Sequence, residues 1–583
     1  MCGIIGYVGP RKASEVVFSG LRKLEYRGYD SAGIATMAEK GIKLIKDVGR
    51  IDDIHAQKDF LQLEGTIGIG HTRWATHGGV TAQNAHPHTD CTGKIYLVHN
   101  GVIENFTQLR GELIEKKHKL KSETDTELIA HLVEEALKSS KSTEEAFEKA
   151  VSRLKGSWSL VMMRDGERAI HLSRNGPPLV LGIGNKEMFC ASDIPALLEY
   201  TKQVVFVEDG DRVRFDESGF AVYRNGKKIQ PKVHAIEWDA QMAQKDGYEH
   251  FMLKEIFEQQ SRIRDSIGCD VAPAKKALSG SKRMAVIACG TSYYAGLVFR
   301  QMLAGLGLDC SVYIGSEFQY QRTGREDAVV AISQSGETAD TLSAVRLAKA
   351  GGAKVIAVTN VVGSSLYREA GANVIIGAGP ELAVVATKSF TCQIGALAKL
   401  AYAISGNEKK AQELAALSEK IESVLNRSKE IESLADSLLQ HRDFFFIGRS
   451  YSFPTALEGA LKLKEITYLH AEAYAAGELK HGPLSLLDKD VVVIAIAPSD
   501  GTMHKTMSNI QECKARGAKI IVFSDSEEAG GLSRHHFLMP AASGVEIPIL
   551  YAVPFQLLAY YLAVKMKKDP DKPRNLAKSV TVE

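Results

Sequence analysis

Short apolar runs of strand length, each ending in a polar cluster, set the pattern of residues 1–238. Ile4 and Ile5, held between Gly3 and Gly6, read as a buried strand. Residues 67–69 run into His71-Thr72-Arg73-Trp74-Ala75-Thr76-His77-Gly78, and residues 95–98 into His99-Asn100-Gly101. Residues 158–163 and 204–207 are further β-type runs. Thr124-Asp125-Thr126-Glu127 has the form of a capping box, and the spacing of Leu128, Ile129, Leu132 and Val133 behind it predicts an amphipathic helix.

Past a polar, irregular stretch at 239–249 the pattern changes. Apolar β runs alternate with helical stretches, which predicts doubly wound α/β structure. This half also repeats itself at an offset of roughly 160 residues. Met284-Ala285-Val286-Ile287-Ala288-Cys289-Gly290 matches Phe444-Phe445-Phe446-Ile447-Gly448-Arg449-Ser450, Asp327-Ala328-Val329-Val330 matches Asp490-Val491-Val492-Val493, and Gly352-Ala353-Lys354-Val355-Ile356 matches Gly517-Ala518-Lys519-Ile520-Ile521. A charged helical segment at 407–440 joins the copies. The expected partition is a first domain at 1–238, a linker at 239–249, duplicated domains at 250–425 and 426–570, and a tail at 571–583.

Composition narrows the picture without changing it. Hydrophobic content of 45% and charged content of 24% over 583 residues are those of ordinary globular protein. A net charge of +2 gives no reason to expect nucleic acid or acidic membranes as partners. The longest purely apolar run, residues 491–497, is too short to span a bilayer, and no secretory signal is read at the N-terminus. The eight cysteines are scattered with no C-x-x-C, so neither a zinc site nor a disulfide framework is suggested, and a reducing, cytoplasmic setting is expected. No metal and no cofactor are expected.

Candidate chemistry starts at Cys2. Removal of Met1 would leave a thiol and a free α-amine on one residue. With a pKa of about 7.7–8.0 the amine can act as the base that the thiol requires. Cys2 could equally be an accident of position. An amide-cleaving cysteine needs an oxyanion hole, which Asn100 and the Gly101 N–H can supply, a clamp for a carboxylate, for which Arg73 is suited, and an anion for a substrate ammonium, which Asp125 offers. Asn-Gly is also a common turn, Asp125 can simply open a helix, and Trp74 can be a core residue.

Cys2-Gly3-Ile4, Leu24-Glu25-Tyr26-Arg27-Gly28-Tyr29-Asp30-Ser31, the clusters at 71–78 and 99–101, and Asn84-Ala85-His86-Pro87-His88 together resemble the glutaminase domain of the N-terminal-nucleophile glutamine amidotransferases. The resemblance implies an αββα sandwich in which Cys2 attacks the glutamine side-chain amide, while Arg73, Thr76, His77, Gly101 and Asp125 hold glutamine.

In the duplicated half, Ser333-Gln334-Ser335-Gly336-Glu337-Thr338 follows a predicted strand and opens a predicted helix. Hydroxyls and N–H groups at such a position suit a phosphate. The corresponding Pro498-Ser499-Asp500-Gly501-Thr502 carries Asp500, which would repel one. No G-x-x-x-x-G-K-[ST] is present, so nucleoside triphosphate chemistry is not indicated. Glu458, Lys462 and Glu465 share one helix face at i, i+4, i+7, as a site or as an exposed ion-pair ladder. Lys578 is either a solvated tail charge or a docked amine, flanked by apolar Leu576, Ala577 and Val580 and approached through Pro570 and Pro573.

This half resembles tandem sugar isomerase domains. The order of a glutaminase and two isomerase domains, with Ala471-Glu472-Ala473-Tyr474-Ala475-Ala476-Gly477-Glu478-Leu479-Lys480-His481-Gly482-Pro483 and the tail from Pro573, resembles the family of amidotransferases that aminate a ketose phosphate. The resemblance implies glutamine and fructose 6-phosphate as substrates and a doubly wound parallel sheet in each isomerase domain. It implies that Ser292, Ser333, Gln334, Ser335 and Thr338 hold the phosphate, with Val384 and Ala577 beside the sugar. Ala386 departs from the serine expected in bacterial members. Glu465 is implied as the proton carrier, assisted by Lys462, with His481 opening the sugar ring from the neighbouring subunit of a homodimer. Lys578 is implied to form the Schiff base at C2, and Trp74 to gate the passage of ammonia.

Overall fold

The computed structural model describes residues 2–75, 77–236, 245–322, 324 and 326–581. The chain divides into two compact units, Met1–Ala243 with Ser579–Glu583, and Gln244–Lys578. Thr76 and part of the expected linker lie outside the described residues.

The first unit is built on two antiparallel sheets of eight and seven strands. Gly3–Val8 runs inside the eight-stranded sheet, paired antiparallel with Ile67–Arg73 on one side and Met188–Ala191 on the other. All six of its residues are buried, and strand alternation divides them between two layers. Ile4 and Val8 pack with Val98, Val161, Leu172 and Val213 of the seven-stranded sheet. Ile5 and Tyr7 face the helix Ala13–Leu24 through Val17 and Leu21. On the far side of the second sheet, Leu97 and Leu160 pack against Leu128, Leu132 and Phe147 of the helices Asp125–Leu137 and Thr143–Val151. The layers are therefore helix, sheet, sheet, helix. The αββα expectation holds, and burial of the first strand on both faces explains its unbroken apolar run.

The second unit contains two five-stranded parallel sheets of identical topology. In the first, Met284–Ala288 lies between Cys310–Ile314 and Ala328–Ser333, which is followed outward by Lys354–Thr359 and Ala372–Ile375. In the second, Asp443–Gly448 lies between His470–Ala475 and Val492–Ile496, followed by Lys519–Ser524 and His535–Leu538. Both have strand order 2-1-3-4-5, so the repeat legible in the sequence is a repeat of whole sheets.

One helix among the described residues, Glu546–Lys565, is long and apolar enough to cross a bilayer by length and composition. It is a core helix. Its residues from Ile547 to Tyr560 are buried, and Phe555 packs edge-on to Phe446 and Phe523 at centroid distances of 5.5 and 4.8 Å. Gln556, wholly buried, accepts from Gln259 Nε2 (2.8 Å) and donates to Thr387 O (3.2 Å). A Phe555→Ala change leaves a cavity between this helix and the second sheet and should cost about 3–5 kcal/mol. The expected readout is a lowered midpoint of thermal unfolding, with secondary structure retained at room temperature.

Candidate functional site

In the first unit, Cys2 stands at the head of the first strand and faces the end of Ile67–Arg73. Trp74 N–H donates to Cys2 Sγ (3.2 Å), and the thiol faces Trp74 O at 3.5 Å. The Cys2 carbonyl accepts from Asn100 Nδ2 (2.9 Å) and Arg27 Nε (3.3 Å). Burial pushes the Cys2 thiol up, against the Trp74 N–H and the charges of Arg73 and Arg27. As placed, the sulfur is a thiol that needs a base before it can attack.

Asn100 and Gly101 are not a turn. They lie inside the strand Ile95–Ile103, with Gly101 opposite Trp158. Gly101 has φ 131°, and a Cβ there would stand 2.1 Å from Ser157 O, so this bend of the strand beside Cys2 admits only glycine. Asn100 Oδ1 lies 3.1 Å from His71 Nε2, which is also 3.0 Å from His99 O. Burial lowers His71 to about 3 and lowers His86, His88 and His99 as well. These rings are neutral hydrogen-bonding groups, and His71 fixes which way the Asn100 amide points.

Arg73 is buried, and its fork is directed at main chain: Nη1 donates to Gly79 O (3.0 Å), and Nη2 to His77 O (2.5 Å) and Gly78 O (3.1 Å). In this state it shapes the 77–79 loop. His77 packs edge-on to Phe106 (4.5 Å). Asp125 is the first residue of its helix, buried, and accepts from Ile103 N–H (2.9 Å). Thr124 is the N-cap, accepting from Glu127 N–H (3.4 Å). The reciprocal half of the capping box is replaced: Glu127 accepts from the N–H groups of Lys121 and Ser122 (2.7 and 2.6 Å). Trp74, half-buried, meets Tyr29 edge-on at 5.8 Å.

In the second unit, the sequence places its polar loops at the carboxyl ends of Met284–Ala288 and Ala328–Ser333. These adjacent strands lie where the strand order reverses, the usual ligand position in such sheets. Ser333 Oγ lies 3.0 Å from Thr338 Oγ1 and accepts from Gly336 N–H (3.1 Å), and Ser335 Oγ accepts from Glu337 N–H (3.2 Å). Gly336 has φ 66°, and a Cβ would stand 2.1 Å from Ser364 Oγ, so the loop closes this tightly only on glycine. The helix Ala339–Ala350 follows. In the second copy, Asp500 Oδ1 accepts from Thr502 N–H and Oγ1 (2.8 and 2.6 Å), so a carboxylate already occupies the start of the helix Met503–Lys514.

The first turn of the helix Gly290–Gly305 connects these loops to buried charge. Ser292 Oγ accepts from Gln393 Nε2 (2.9 Å). Thr291 Oγ1 donates to Glu458 Oε2 (2.9 Å) and accepts from Lys462 Nζ (3.2 Å). Lys462 Nζ lies 2.6 Å from Glu465 Oε2 and 3.5 Å from Glu458 Oε1, with Glu458 and Lys462 each 1% exposed. This is not a surface ladder. Burial raises Glu458 to about 7, opposed by Lys462 and reinforced by Glu465. Burial also works to lower Lys462, but the two carboxylates outweigh it and hold the ammonium form.

Lys578 is docked. Its Nζ lies 2.5 Å from Glu381 Oε2 with the carboxylate wholly buried. Glu381 also accepts from Ser389 Oγ (2.8 Å) and from the N–H groups of Thr387 (2.9 Å) and Ser389 (3.0 Å). The tail leading to it is anchored: Asp571 accepts from the N–H groups of Phe251 and Met252 (2.9 and 2.8 Å), and its carbonyl takes the Val384 N–H (3.0 Å). Ala577 is half-buried beside Lys578. His481, the last residue of the 3-10 segment Ala476–His481, is exposed.

Two family models match the chain. The glutamine amidotransferase domain covers residues 71–199, and the SIS domain matches twice, at 277–403 and 437–566. The glutamine–fructose-6-phosphate aminotransferase [isomerizing] of Thermococcus kodakarensis is 50% identical over the full length of both chains, and that of Pyrococcus horikoshii is 48% identical, also over both full lengths. The chain belongs to the isomerizing glutamine–fructose-6-phosphate aminotransferase family. Among solved structures, the C-terminal domain of the glucosamine-fructose-6-phosphate aminotransferase from Francisella tularensis matches 56% of this chain and 99% of that one, at 37% identity and TM-score 0.54.

Two buried carboxylates that anchor these clusters carry no local mark in the sequence. Glu381 and Glu255 were not singled out, because nothing local marks a carboxylate whose partner is 197 residues away. Burial raises Glu255 to about 8, reinforced by Glu381, while its Oε1 accepts from Leu382 and Ala383 N–H groups. A carboxyl whose folded value exceeds its unfolded value near 4.5 loses stability for the fold as pH rises from about 4.5 to about 8. Glu255→Gln keeps an acceptor at Oε1 and removes that loss. The mutant should gain thermal stability relative to wild type as pH is raised from 5 to 8, on the order of a few kcal/mol, measured as the difference of unfolding midpoints at each pH.

Proposed function

We propose that this protein converts fructose 6-phosphate and glutamine into glucosamine 6-phosphate and glutamate, as a soluble, cytoplasmic homodimer supplying amino sugar biosynthesis. The observation that carries the reading is the presence of both chemistries in one chain. A half-buried cysteine beside an aimed amide lies in the amidotransferase unit, and the paired SIS unit holds both a docked tail lysine and a buried carboxylate–lysine network.

At the first site, Cys2 attacks the side-chain carbonyl of glutamine, its proton passing to the α-amine that Met1 removal frees. Asn100 and the Gly101 N–H stabilise the oxyanion, each such donor contributing about 2.7–4 kcal/mol. Ammonia leaves, and water then hydrolyses the thioester to glutamate. Arg73, Thr76, His77, Gly101 and Asp125 hold the amino acid, Arg73 turning from the loop carbonyls to the substrate carboxylate. Ammonia protonated in bulk water would be no nucleophile, so it passes sheltered to the sugar, with Trp74 as its gate.

At the second site, the phosphate rests on Ser333, Gln334, Ser335 and Thr338, with Ser292 nearby and Val384 and Ala577 beside the sugar. His481 of a second subunit opens the ring, a role its exposure on the single chain supports. Lys578 Nζ, released from Glu381, attacks C2 of the open-chain ketose and loses water to form an imine. Ammonia displaces the lysine. Glu465, with Lys462 holding it, removes a proton from C1 and returns one to C2, leaving the aldehyde at C1 and the amine at C2.

Incubation with glutamine and fructose 6-phosphate should yield glucosamine 6-phosphate, detected by mass spectrometry, and an absent product would refute the reading. Cys2→Ala should reduce glutamine hydrolysis by at least about 10³-fold while leaving slow interconversion of fructose 6-phosphate and glucose 6-phosphate, because those steps use the other unit.

Borohydride added with fructose 6-phosphate should fix one sugar on Lys578, located by peptide mass spectrometry. An adduct on another lysine, or full synthase activity in Lys578→Arg, would exclude the Schiff base.

A further inference from the structure

Three segments of the amidotransferase unit, remote in sequence, bring ligand-type atoms to one point away from Cys2. Cys91 sits in the turn between His88–Thr89 and Ile95–Ile103, pinned by Asp90 Oδ1, which accepts from the N–H groups of Lys94 and Ile95 (2.9 and 3.0 Å). His118 follows the helix Phe106–Glu115, directly after Lys117, whose φ of 66° turns the chain. His131 and Glu134, at i and i+3, share a face of Asp125–Leu137.

Cys91 Sγ lies 3.5 Å from His131 Nδ1 and 3.7 Å from His118 Nδ1. The two Nδ1 atoms are 3.2 Å apart. Glu134 Oε2 is 3.1 Å from His118 Nδ1 and 3.2 Å from His131 Nδ1. A tetrahedral ion with bonds of about 2.0–2.3 Å to nitrogen, oxygen and sulfur spaces its ligands about 3.3–3.6 Å apart. The protein has these spacings already.

The groups behind the four atoms point the same way. His118 Nε2 lies 3.0 Å from Glu135 Oε1, and with its proton on Nε2 the ring turns the Nδ1 lone pair to the centre. His131 Nε2 faces Glu127 Oε1 at 3.7 Å. A carboxylate hydrogen-bonded behind the imidazole is the outer arrangement of metal-bound histidine, and His118 has it. Lys119 N–H donates to Cys91 Sγ (3.3 Å) and fixes the direction of the side chain. Where protons do not bridge them, the lone pairs of a sulfur, a carboxylate oxygen and two imidazole nitrogens converging on one point repel, and a cation among them relieves that repulsion.

We propose that Cys91, His118, His131 and Glu134 form a tetrahedral site for a structural divalent cation of the zinc type. Four protein ligands close the coordination, which is the form of a structural centre, and one sulfur with two imidazoles suits zinc over magnesium or calcium. The ion ties the helix that begins with Asp125 to the strand that carries Asn100, so it rigidifies two walls of the glutamine site without touching substrate.

Full-length protein purified with ZnCl₂ and desalted should carry close to one zinc per chain by plasma mass spectrometry, and Cys2→Ala should keep it. CoCl₂ in place of zinc should give the visible bands of tetrahedral cobalt with a near-ultraviolet thiolate band. Cys91→Ser changes an exposed turn residue. It should lose the thiolate band, bind at least about tenfold more weakly, and lose the rise in thermal midpoint that zinc gives the wild type. Zinc at background level in the wild type, or a cobalt spectrum unchanged in Cys91→Ser, overturns the site and leaves a proton-bridged histidine pair.

Discussion

The burial of the Glu381 carboxylate is the constraint on which the second unit rests. An ionised carboxylate out of water is tolerated only when its lone pairs are taken and its charge is balanced. Glu381 has three donors from the Thr387–Ser389 turn and the ammonium of Lys578. Burial pushes it up, yet the Lys578 charge and those donors hold it at about 2. The consequences spread through packing. The turn opens the helix Lys388–Ser405, Gln393 one turn further along reaches Ser292, and Thr291 beside it joins Glu458 and Lys462. Two buried polar clusters, Glu381 with Lys578 and Thr291 with Glu458, Lys462 and Glu465, are thus tied to the same pair of helices, Lys388–Ser405 and Gly290–Gly305.

The first unit answers a different constraint. A strand buried on both faces must have its polar ends satisfied at its margins, and Gly3–Val8 ends at Cys2, whose carbonyl takes two side-chain donors. The same requirement that holds the strand in the sheet therefore aims Asn100 and Arg27 at the residue bearing the thiol. Neutral His71 orients the Asn100 amide, so the placement of this donor follows from the packing of rings about it rather than from a flexible loop.

What was legible in the sequence was local or periodic. The apolar pairs at Ile4-Ile5 and Val329-Val330 became central strands, the repeat became two sheets with one topology, and Thr124 became an N-cap. The phosphate-type loop followed a strand and preceded a helix, as its residues require. What was not legible depended on distant partners. The Arg73 fork turns to carbonyls four to six residues on, because the 77–79 loop folds back over it. Glu127 abandons its capping role because Lys121 and Ser122 present N–H groups to it. Glu458, Lys462 and Glu465 lie on one helix face as the spacing required, but it is the packing of that face on the helix Gly290–Gly305, with Thr291 between Glu458 and Lys462, that makes it an interior one. The four ligand-type residues at 91, 118, 131 and 134 carry no recognisable spacing beyond the final i, i+3 pair.

The two sheets are alike in strand order, yet the loops that follow their third strands differ in charge. In the second copy the Asp500 carboxylate lies at the start of the helix Met503–Lys514, where the first copy has the hydroxyls of Ser333, Ser335 and Thr338. One of the two corresponding helix starts therefore already carries an anion of its own chain, and the other does not. Duplication has left two copies of one topology with unlike loops. The second copy contributes the helix Ser452–Thr467, whose buried Glu458 and Lys462 meet Thr291 of the first copy.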